Sequence, residues 1–348
     1  MGLGLRILRD RILGARRPYF VWIMPTSRCN LRCRYCFGDF GNRPDRELTA
    51  ETWEKIIDEL ARLGTRHISI TGGEPMMRKD ISRLVRRIRA RGIECLLNSN
   101  GFQVPERIAE LEGVDMMSIS LDGTREINDA YRGEGTYEQA VRALASARSR
   151  GIPVQILMTL TGRFQEAYRH ILELAEKYDC FIGMNILRPR LSADGREGMS
   201  VENYTQQARD FLDYLIRHRH PRLPYPAWLL KRFRDWPRDY EHCYIPKGES
   251  LGPLTDLPCI SGRFMITIDP SGDLFGCARH CYRNPLANCA DGDVERAWRN
   301  LESPPCRACL DFGWTLLNGA CSFRPAFLWG LFRVMKAKEF RPAEDRGR

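Results

Sequence analysis

Ser27–Gly38 reads SRCNLRCRYCFG, which sets Cys29, Cys33 and Cys36 in a C-x3-C-x2-C array. A disulfide, a zinc site and an iron–sulfur cluster are the candidate explanations for thiols this close in sequence. Structural zinc takes four ligands, usually as paired C-x2-C motifs, and this stretch offers no fourth cysteine or histidine. A [4Fe–4S] cluster also takes four ligands, so three thiolates leave one iron open. The array therefore favours a cluster that can bind a substrate or a cofactor.

The composition of the chain indicates which broad class of protein it belongs to. It has 348 residues, 43% of them hydrophobic and 28% charged, which is typical of a globular protein. Thirteen cysteines form an odd number, and the N-terminus lacks a secretory pattern, so metal ligation is favoured over a disulfide framework. No apolar run approaches the roughly 20 residues of a membrane span. We therefore expect a cytoplasmic protein.

The net charge of +10 fits an acidic partner. The arginines are nevertheless spread along the chain, and they form no stripe with aromatic residues. A nucleic-acid partner is therefore not expected.

The array follows the first of six short apolar runs that alternate with amphipathic stretches. The predicted strands are Phe20–Met24, His67–Ile70, Cys95–Asn98, Met116–Leu121, Val154–Leu160 and Phe181–Leu187. The predicted helices between and after them are Ala50–Leu63, Ile81–Arg91, a short one at Pro105, Tyr137–Arg150 and Gln165–Tyr178. Six such units in series predict a parallel sheet with right-handed crossovers. The fold class is thus α/β, a partial (β/α)6 TIM-like barrel.

Three further motifs come at the ends of the next three predicted strands. They are TGGEP (Thr71–Pro75), NSNG (Asn98–Gly101) and SISLDG (Ser118–Gly123), the last followed by YRGEGTY. The carboxyl ends of barrel strands share one rim, where active sites lie. Together with C-x3-C-x2-C and Tyr35, these motifs resemble the signature of the radical S-adenosylmethionine (radical SAM) enzymes.

This resemblance implies a mechanism and a set of site residues. Cys29, Cys33 and Cys36 would hold a catalytic [4Fe–4S] cluster whose open iron binds S-adenosylmethionine. Reductive cleavage would give a 5′-deoxyadenosyl radical that abstracts a hydrogen atom from the substrate. The other residues implied to contact the bound cofactor are Tyr35, Gly72, Gly73, Glu74, Asn100, Ser120 and Asp122.

A second cysteine group lies in the C-terminal half. Cys259 and Cys277 flank a predicted hairpin within Arg263–Cys277, and Cys306-x2-Cys309 follows a short helix. This pattern resembles the twitch form of the SPASM/twitch extension of radical SAM enzymes, which implies a second, auxiliary [4Fe–4S] cluster in a small cysteine-rich α+β domain. Cys321 is an alternative fourth ligand, and a zinc ribbon is an alternative use of the same thiols. Cys95 and Cys180 are expected to be buried structural thiols.

Five segments follow from these patterns. They are a basic N-terminal helix at 1–18, the radical SAM core at 19–190, a helical and proline-rich connection at 191–244, the auxiliary-cluster domain at 245–322, and a basic C-terminal helix and tail at 323–348. Both terminal segments are partly amphipathic, the second through Leu328, Leu331, Phe332 and Met335. Peripheral contact with an anionic membrane is therefore an additional hypothesis.

The resemblance leaves the substrate open among a peptide, a cofactor precursor and a small metabolite. It implies a low-potential electron donor such as ferredoxin or flavodoxin. No peptide-recognition domain is evident before the core, which we take as weak evidence against a peptide. The alternatives are a lipid-modifying radical SAM enzyme at the membrane surface and a non-enzymatic zinc or iron–sulfur scaffold.

Overall fold

The computed structural model describes residues 2–36, 38, 40, 46–187, 201–277, 287–299, 301 and 305–329. The strands are β1 Phe20–Ile23, β2 His67–Ile70, β3 Glu94–Ser99, β4 Met116–Ser120, β5 Val154–Leu160, β6 Phe181–Ile186, β7 Tyr244–Pro246, β8 Met265–Ile268, β9 Asp273–Phe275, β10 Ala287–Asn288 and β11 Cys306–Cys309. The α-helices are α1 Leu3–Ile12, α2 Ala50–Leu63, α3 Ile81–Ala90, α4 Val104–Arg107, α5 Arg125–Arg132, α6 Thr136–Ser149, α7 Phe164–Lys177, α8 Tyr204–Arg217, α9 Ala227–Arg234, α10 Val294–Arg299 and α11 Phe312–Ser322.

Strands β1 to β6 are parallel neighbours in chain order, which confirms the predicted series of β–α units. The sheet continues past β1. Strand β8 pairs in parallel with β1, with Val21 opposite Ile266, and the full order is β10-β9-β8-β1-β2-β3-β4-β5-β6. The predicted hairpin forms as β8 and β9. The sequence assigned this hairpin to segment 245–322, and the structure joins it to the barrel sheet through β1.

The helices bury the apolar faces that their spacing predicts. In α2, Trp53, Ile56, Ile57 and Leu60 are all fully buried against the sheet. The Thr49 hydroxyl caps this helix by accepting from the Thr52 amide at 3.3 Å, and Gly64, with φ of 96°, ends it in the left-handed region.

Helix α6 begins one residue earlier than the predicted start at Tyr137. Thr136 is the first residue of the helix, and Gly135 precedes it with φ of 79°. The carboxylate of Asp129 performs the capping from α5, because it accepts from the amides of Gly135 at 2.9 Å and Tyr137 at 2.8 Å. A cap supplied from a neighbouring helix leaves no local sequence signal.

Helix α1 lies within segment 1–18, and residues 325–329 are helical within segment 323–348. Leu331, Phe332 and Met335 lie outside the described residues. Within the described parts of the chain, no helix is both long enough and apolar enough to cross a bilayer.

We expect Ile266→Ala to lower the urea midpoint of the whole barrel, because Ile266 is fully buried in β8 between β1 and β9. Truncating a buried isoleucine typically costs about 2–5 kcal/mol. Leu5→Ala, at a side chain that is 61% exposed, is the matched control and should leave the midpoint within error. If Ile266→Ala instead produced a separate, earlier unfolding transition and left the main midpoint unchanged, that result would contradict a single continuous sheet.

Candidate active site

The cysteine array leaves the sheet at the carboxyl end of β1. The Met24 amide donates to the Ile268 carbonyl at 2.8 Å, so the chain stays in the sheet until the loop begins. Within the loop, the Cys36 amide donates to the Cys33 carbonyl at 3.0 Å and closes a tight turn. The side chains of Cys29, Cys33 and Cys36 are half-buried and line one cavity of about 240 Å³.

The Gly72–Gly73 turn after β2 packs directly beneath this loop. The Gly73 amide donates to the Thr26 carbonyl at 3.0 Å, and the Glu74 amide donates to the Arg28 carbonyl at 2.8 Å. A Cβ atom at Gly73 would lie 2.3 Å from the Arg28 carbonyl oxygen, and one at Gly72 would lie 2.7 Å from that of Thr26. The two glycines are therefore required by the close approach of two backbone segments.

Glu74 is buried at the floor of the cavity. Its Oε1 accepts from the Ser99 hydroxyl at 2.8 Å and the Met76 amide at 3.2 Å, and its Oε2 accepts from the Asn100 amide at 2.7 Å. Burial raises the pKa of Glu74 to about 7, although these hydrogen bonds act in the opposite direction. Glu74 forms no ion pair with the described residues, and a buried carboxylate of this kind is suited to receive a positively charged ligand.

The cavity collects most of the residues predicted for the site. Besides the three cysteines, its lining includes Tyr35, Gly72, Gly73, Glu74, Asn100 and Ser120. The Asn100 side chain donates to Asn30 Oδ1 at 2.8 Å, which ties the third strand end to the cysteine loop.

Asp122 is not part of the lining. It lies fully buried behind the cavity, where Arg132 donates to both of its carboxylate oxygens at 2.7 and 2.9 Å. The Thr159 amide donates to Asp122 Oδ1 at 2.8 Å, and the Tyr35 hydroxyl donates to Oδ2. Both carboxylate oxygens of Asp122 thus contact protein groups, and its contact with a bound cofactor stays a prediction.

Arg132 also lines the cavity, although it was not among the residues predicted for the site. Its guanidinium lies 5.3 Å from the centre of the Tyr35 ring, next to the middle of the cysteine array. The stretch YRGEGTY contained the signal, but nothing local marks which of its residues turns inward. Thr159 and Asn185, on the adjacent strands β5 and β6, also line the cavity.

Burial raises the pKa of Cys29 to about 11 and also raises the pKa of Cys33. These thiols are therefore protonated at neutral pH in the chain alone, whereas metal coordination deprotonates a thiol. Among the described lining residues there is no other cysteine and no histidine. The donor set thus fits a cluster that has three thiolate ligands.

The second cysteine group lies on the other side of β1. Cys277, Cys309 and Cys321 are buried in one side-chain cluster with Trp314, which stacks on Trp22 of β1 with ring centres 4.7 Å apart. Cys306 is buried on the same strand as Cys309, and Cys259 is half-buried. The amide that follows Cys259 donates to the Asn318 side chain of α11 at 3.0 Å.

Several buried donors around this group have no hydrogen-bond partner in the part of the chain that the structure describes. They are the indole N–H of Trp314, the hydroxyl of Ser261 and the Nε–H of Arg232. Buried donors left unpaired are unfavourable, and the sulfur atoms of an iron–sulfur cluster can accept such hydrogen bonds. The surroundings therefore fit an auxiliary cluster.

Within the described residues, no three histidine, cysteine or carboxylate side chains converge closely enough to hold a single metal ion. Cys95 and Cys180 are fully buried in the core, as expected for structural thiols. Cys243 and Cys289 are buried too, and the Cys289 thiol donates to the Gly272 carbonyl at 3.3 Å.

Comparison with known proteins decides the family. A family model described as the radical SAM superfamily matches residues 23–177. The mycofactocin maturase MftC of Mycobacterium tuberculosis is 33% identical over 79% of this chain and 68% of its own length. The chain belongs to the radical SAM superfamily.

Similarity to other known proteins is found both in sequence and in structure. The Fe-coproporphyrin III synthase of Methanosarcina barkeri is 32% identical over 62% of this chain and 55% of its own length. The crystal structure of SuiB of Streptococcus suis bound to S-adenosylmethionine superposes with a TM-score of 0.63 at 17% identity, covering 86% of this chain and 69% of SuiB. A second SuiB structure, with a TM-score of 0.61 at 16% identity and covering 84% and 67% of the two chains, contains the precursor peptide SuiA.

The predicted fold class and enzyme class are thereby confirmed. The chain is a radical SAM enzyme, and its relatives include a mycofactocin maturase and an Fe-coproporphyrin III synthase. Membership implies a [4Fe–4S] cluster and S-adenosylmethionine. The alternative of a non-enzymatic scaffold is set aside.

The raised pKa of Glu74 predicts how the free energy of unfolding of the iron-free protein changes with pH. The folded state holds this proton up to about pH 7, whereas the unfolded state releases it near the ordinary value of 4.5. The free energy of unfolding should therefore fall as the pH rises from 4.5 to about 7, by about 3 kcal/mol in total. Urea unfolding across this range measures the slope. Glu74→Gln should lose this part of the slope, and an unchanged slope would contradict the assignment.

Proposed function

We propose that this chain is a peptide-maturing radical SAM enzyme with two iron–sulfur clusters. The observation that carries the proposal is the single cavity lined by Cys29, Cys33, Cys36 and Glu74. Three thiolates and a buried carboxylate with no cationic partner are the groups that an open-iron cluster and the ammonium of S-adenosylmethionine require.

Each lining residue then has an assigned role. The three cysteines hold the catalytic cluster, and Glu74 receives the amino group of S-adenosylmethionine. Arg132 and Ser120 are suited to its carboxylate, because they supply a guanidinium and a hydroxyl to the same cavity. Asn100 contributes an amide side chain at the rim. Asp122 acts as a positioning residue, since it holds Arg132 and Tyr35 in place.

Cys29, Cys33 and Cys36 would hold the cluster, and when bound it would supply the electron for reductive cleavage of S-adenosylmethionine to a 5′-deoxyadenosyl radical. The chain's own residues orient the sulfonium-bearing molecule and exclude water from it. Leu157, Ile186 and Phe40 give the lining an apolar part, which suits a reaction that must keep a radical away from solvent.

The second cysteine group is proposed to hold an auxiliary [4Fe–4S] cluster. Cys259, Cys277, Cys306 and Cys309 are its ligands, with Cys321 as the alternative fourth. The support is the burial of Cys277, Cys306, Cys309 and Cys321, together with the unpaired donors around them among the described residues.

A peptide is the substrate that we favour among those left open. MftC is named as a maturase, and this chain is similar to it over 79% of its length, compared with 62% for the coproporphyrin synthase. The substrate peptide would enter over the cavity from the rim of the barrel, where Asn185 and Thr159 line the cavity wall.

A low-potential donor such as ferredoxin or flavodoxin is the proposed electron source. The exposed arginines on and beside the cysteine loop, Arg28, Arg32 and Arg34, suit an acidic donor protein.

Peripheral membrane contact is proposed at α1, which keeps open a lipid-modifying role as the second candidate function. Leu5 and Ile12 lie seven residues apart on one face of α1 and are 61% and 75% exposed, and Leu13 follows at 71%. Arg9, 47% exposed, lies between them in sequence and supplies charge toward an anionic surface.

We expect the protein to co-sediment with vesicles of anionic lipid at low salt and to be released at high salt. The double variant Leu5→Ser/Ile12→Ser should reduce this binding at least tenfold, whereas Thr52→Ser on α2 should not change it. If the protein does not bind the vesicles, or if the double variant binds them as well as the parent protein, the membrane hypothesis is wrong.

Cys33→Ala should abolish 5′-deoxyadenosine formation in the anaerobically reconstituted, reduced enzyme, because the catalytic cluster loses a ligand. Cys180→Ala is the matched control at a buried thiol outside both cysteine groups, and it should retain activity. Chromatography of the products measures the rate. Wild-type rates in the Cys33→Ala protein would refute the assignment of the catalytic cluster.

The substrate class is tested by co-expression with short peptides encoded near the gene. A change of mass in one peptide that requires Cys33 supports peptide maturation. S-adenosylmethionine cleavage that no such peptide accelerates, but that a tetrapyrrole precursor does, would favour the cofactor alternative instead.

Iron analysis tests the second cluster. Reconstituted protein should contain about eight irons per chain, and Cys306→Ala/Cys309→Ala should contain about four, since each cubane holds four. Zinc in place of iron at the second group, or four irons in both proteins, would contradict an auxiliary cluster.

A further inference from the structure

Arg232 is a buried cation that forms no ion pair with any carboxylate of the described residues. It lies in the last turn of α9 with 8% of its surface exposed. One guanidinium nitrogen donates to the Thr255 carbonyl at 2.6 Å, while the Nε–H has no hydrogen-bond partner among the described residues. No carboxylate in the described part of the chain lies within ion-pair distance of it. Burying a charge in this way is costly unless another group offsets it.

The position of Arg232 is next to the second cysteine group. Its hydrogen-bond partner Thr255 precedes Asp256, and Asp256 pairs at 3.4 Å with Arg307, which lies between Cys306 and Cys309 in β11. Burial lowers the pKa of Arg232, and the nearby Cys309 and Asp256 act in the opposite direction. The guanidinium of Arg232 is therefore close enough to strand β11 to interact electrostatically with Cys309.

We propose that Arg232 is the buried counter-charge of the auxiliary cluster and that its free Nε–H donates to a sulfur atom of that cluster or to the Cys309 thiolate. This inference rests on the proposed auxiliary cluster. An iron–sulfur cluster with thiolate ligands is anionic, so it offsets the buried cation and satisfies the unpaired donor. Arg232 is a positioning and tuning residue, and it takes no part in bond breaking.

The consequence is a shift in reduction potential. Adding an electron increases the negative charge of the cluster, and an adjacent buried cation stabilises that reduced form. Replacing the guanidinium with an apolar side chain of similar length therefore makes the cluster harder to reduce. Arg232→Met should lower the ratio of reduced to oxidised cluster at least tenfold at a fixed applied potential, which is about 59 mV for a one-electron couple.

The measurement is an EPR-monitored redox titration in a Cys29→Ala/Cys33→Ala/Cys36→Ala background, where only the auxiliary cluster remains. Arg232→Lys keeps the charge and should stay closer to the parent protein than Arg232→Met. Arg209→Met is the matched control, because Arg209 is a partly buried arginine on α8 that also has an unpaired Nε–H and donates to the carbonyls of Trp236 and Arg238. Its substitution should leave the potential unchanged.

A spectroscopic measurement on protein that retains Arg232 tests the inference even if the Arg232→Met variant does not fold. With ¹⁵N-labelled arginine, the reduced auxiliary cluster should show a weak ¹⁵N hyperfine coupling that disappears in Arg232→Lys. A background protein with about four irons, an unmoved potential in Arg232→Met and no such coupling would overturn the inference while leaving the auxiliary cluster intact. A background protein without iron would instead refute the cluster on which the inference rests.

Discussion

The contact between two backbone segments, the Gly72–Gly73 turn and the loop at Thr26–Arg28, is the constraint on which the site depends. Two hydrogen bonds hold these segments together, and both glycines approach carbonyl oxygens too closely for any side chain. This contact fixes the cysteine loop from below and brings Glu74 to the cavity floor. Because β1 and β2 are adjacent and parallel, their ends meet at the rim and the contact follows from the topology.

A buried ion pair supports the opposite side of the same cavity. Arg132 and Asp122 form two parallel hydrogen bonds, and Tyr35 and the Thr159 amide complete the coordination of the carboxylate. The pair therefore links α5, the end of β4, strand β5 and the cysteine array. Breaking such a pair is strongly destabilising, because it leaves a buried charge without compensation. The arrangement keeps Arg132 in one orientation toward the cavity.

The two cysteine groups are neighbours because the sheet is continuous. Strand β8 extends the barrel sheet beside β1, and β9 pairs with β8. Phe275 at the end of β9 packs with Met24 near Cys29 and Cys36, whereas Cys277, two residues later, belongs to the other group. One short segment thus contacts both groups. In the proposed enzyme, this proximity would allow an electron to pass between a substrate radical near the cavity and the auxiliary cluster.

The sequence by itself determined the series of β–α units, the cysteine arrays and the motifs at four strand ends. These signals are local: hydrophobic period, capping residues and ligand spacing are all read from neighbouring positions. From these signals we predicted ten site residues, at Cys29–Cys36, Gly72–Glu74, Asn100 and Ser120–Asp122. Nine of the ten line one cavity, and Asp122 lies behind it.

Only the tertiary structure decided the position of Asp122 behind the cavity, the entry of Arg132 into it, the pairing of β8 with β1 and the burial of Arg232. Each of these depends on partners far away in the sequence. Asp122 is turned inward by Arg132 and by an amide of β5, and Arg232 lies against a loop more than twenty residues later. The physical reason is that local patterns specify which face of an element is apolar, whereas the partner of a buried polar group is set by how the elements pack.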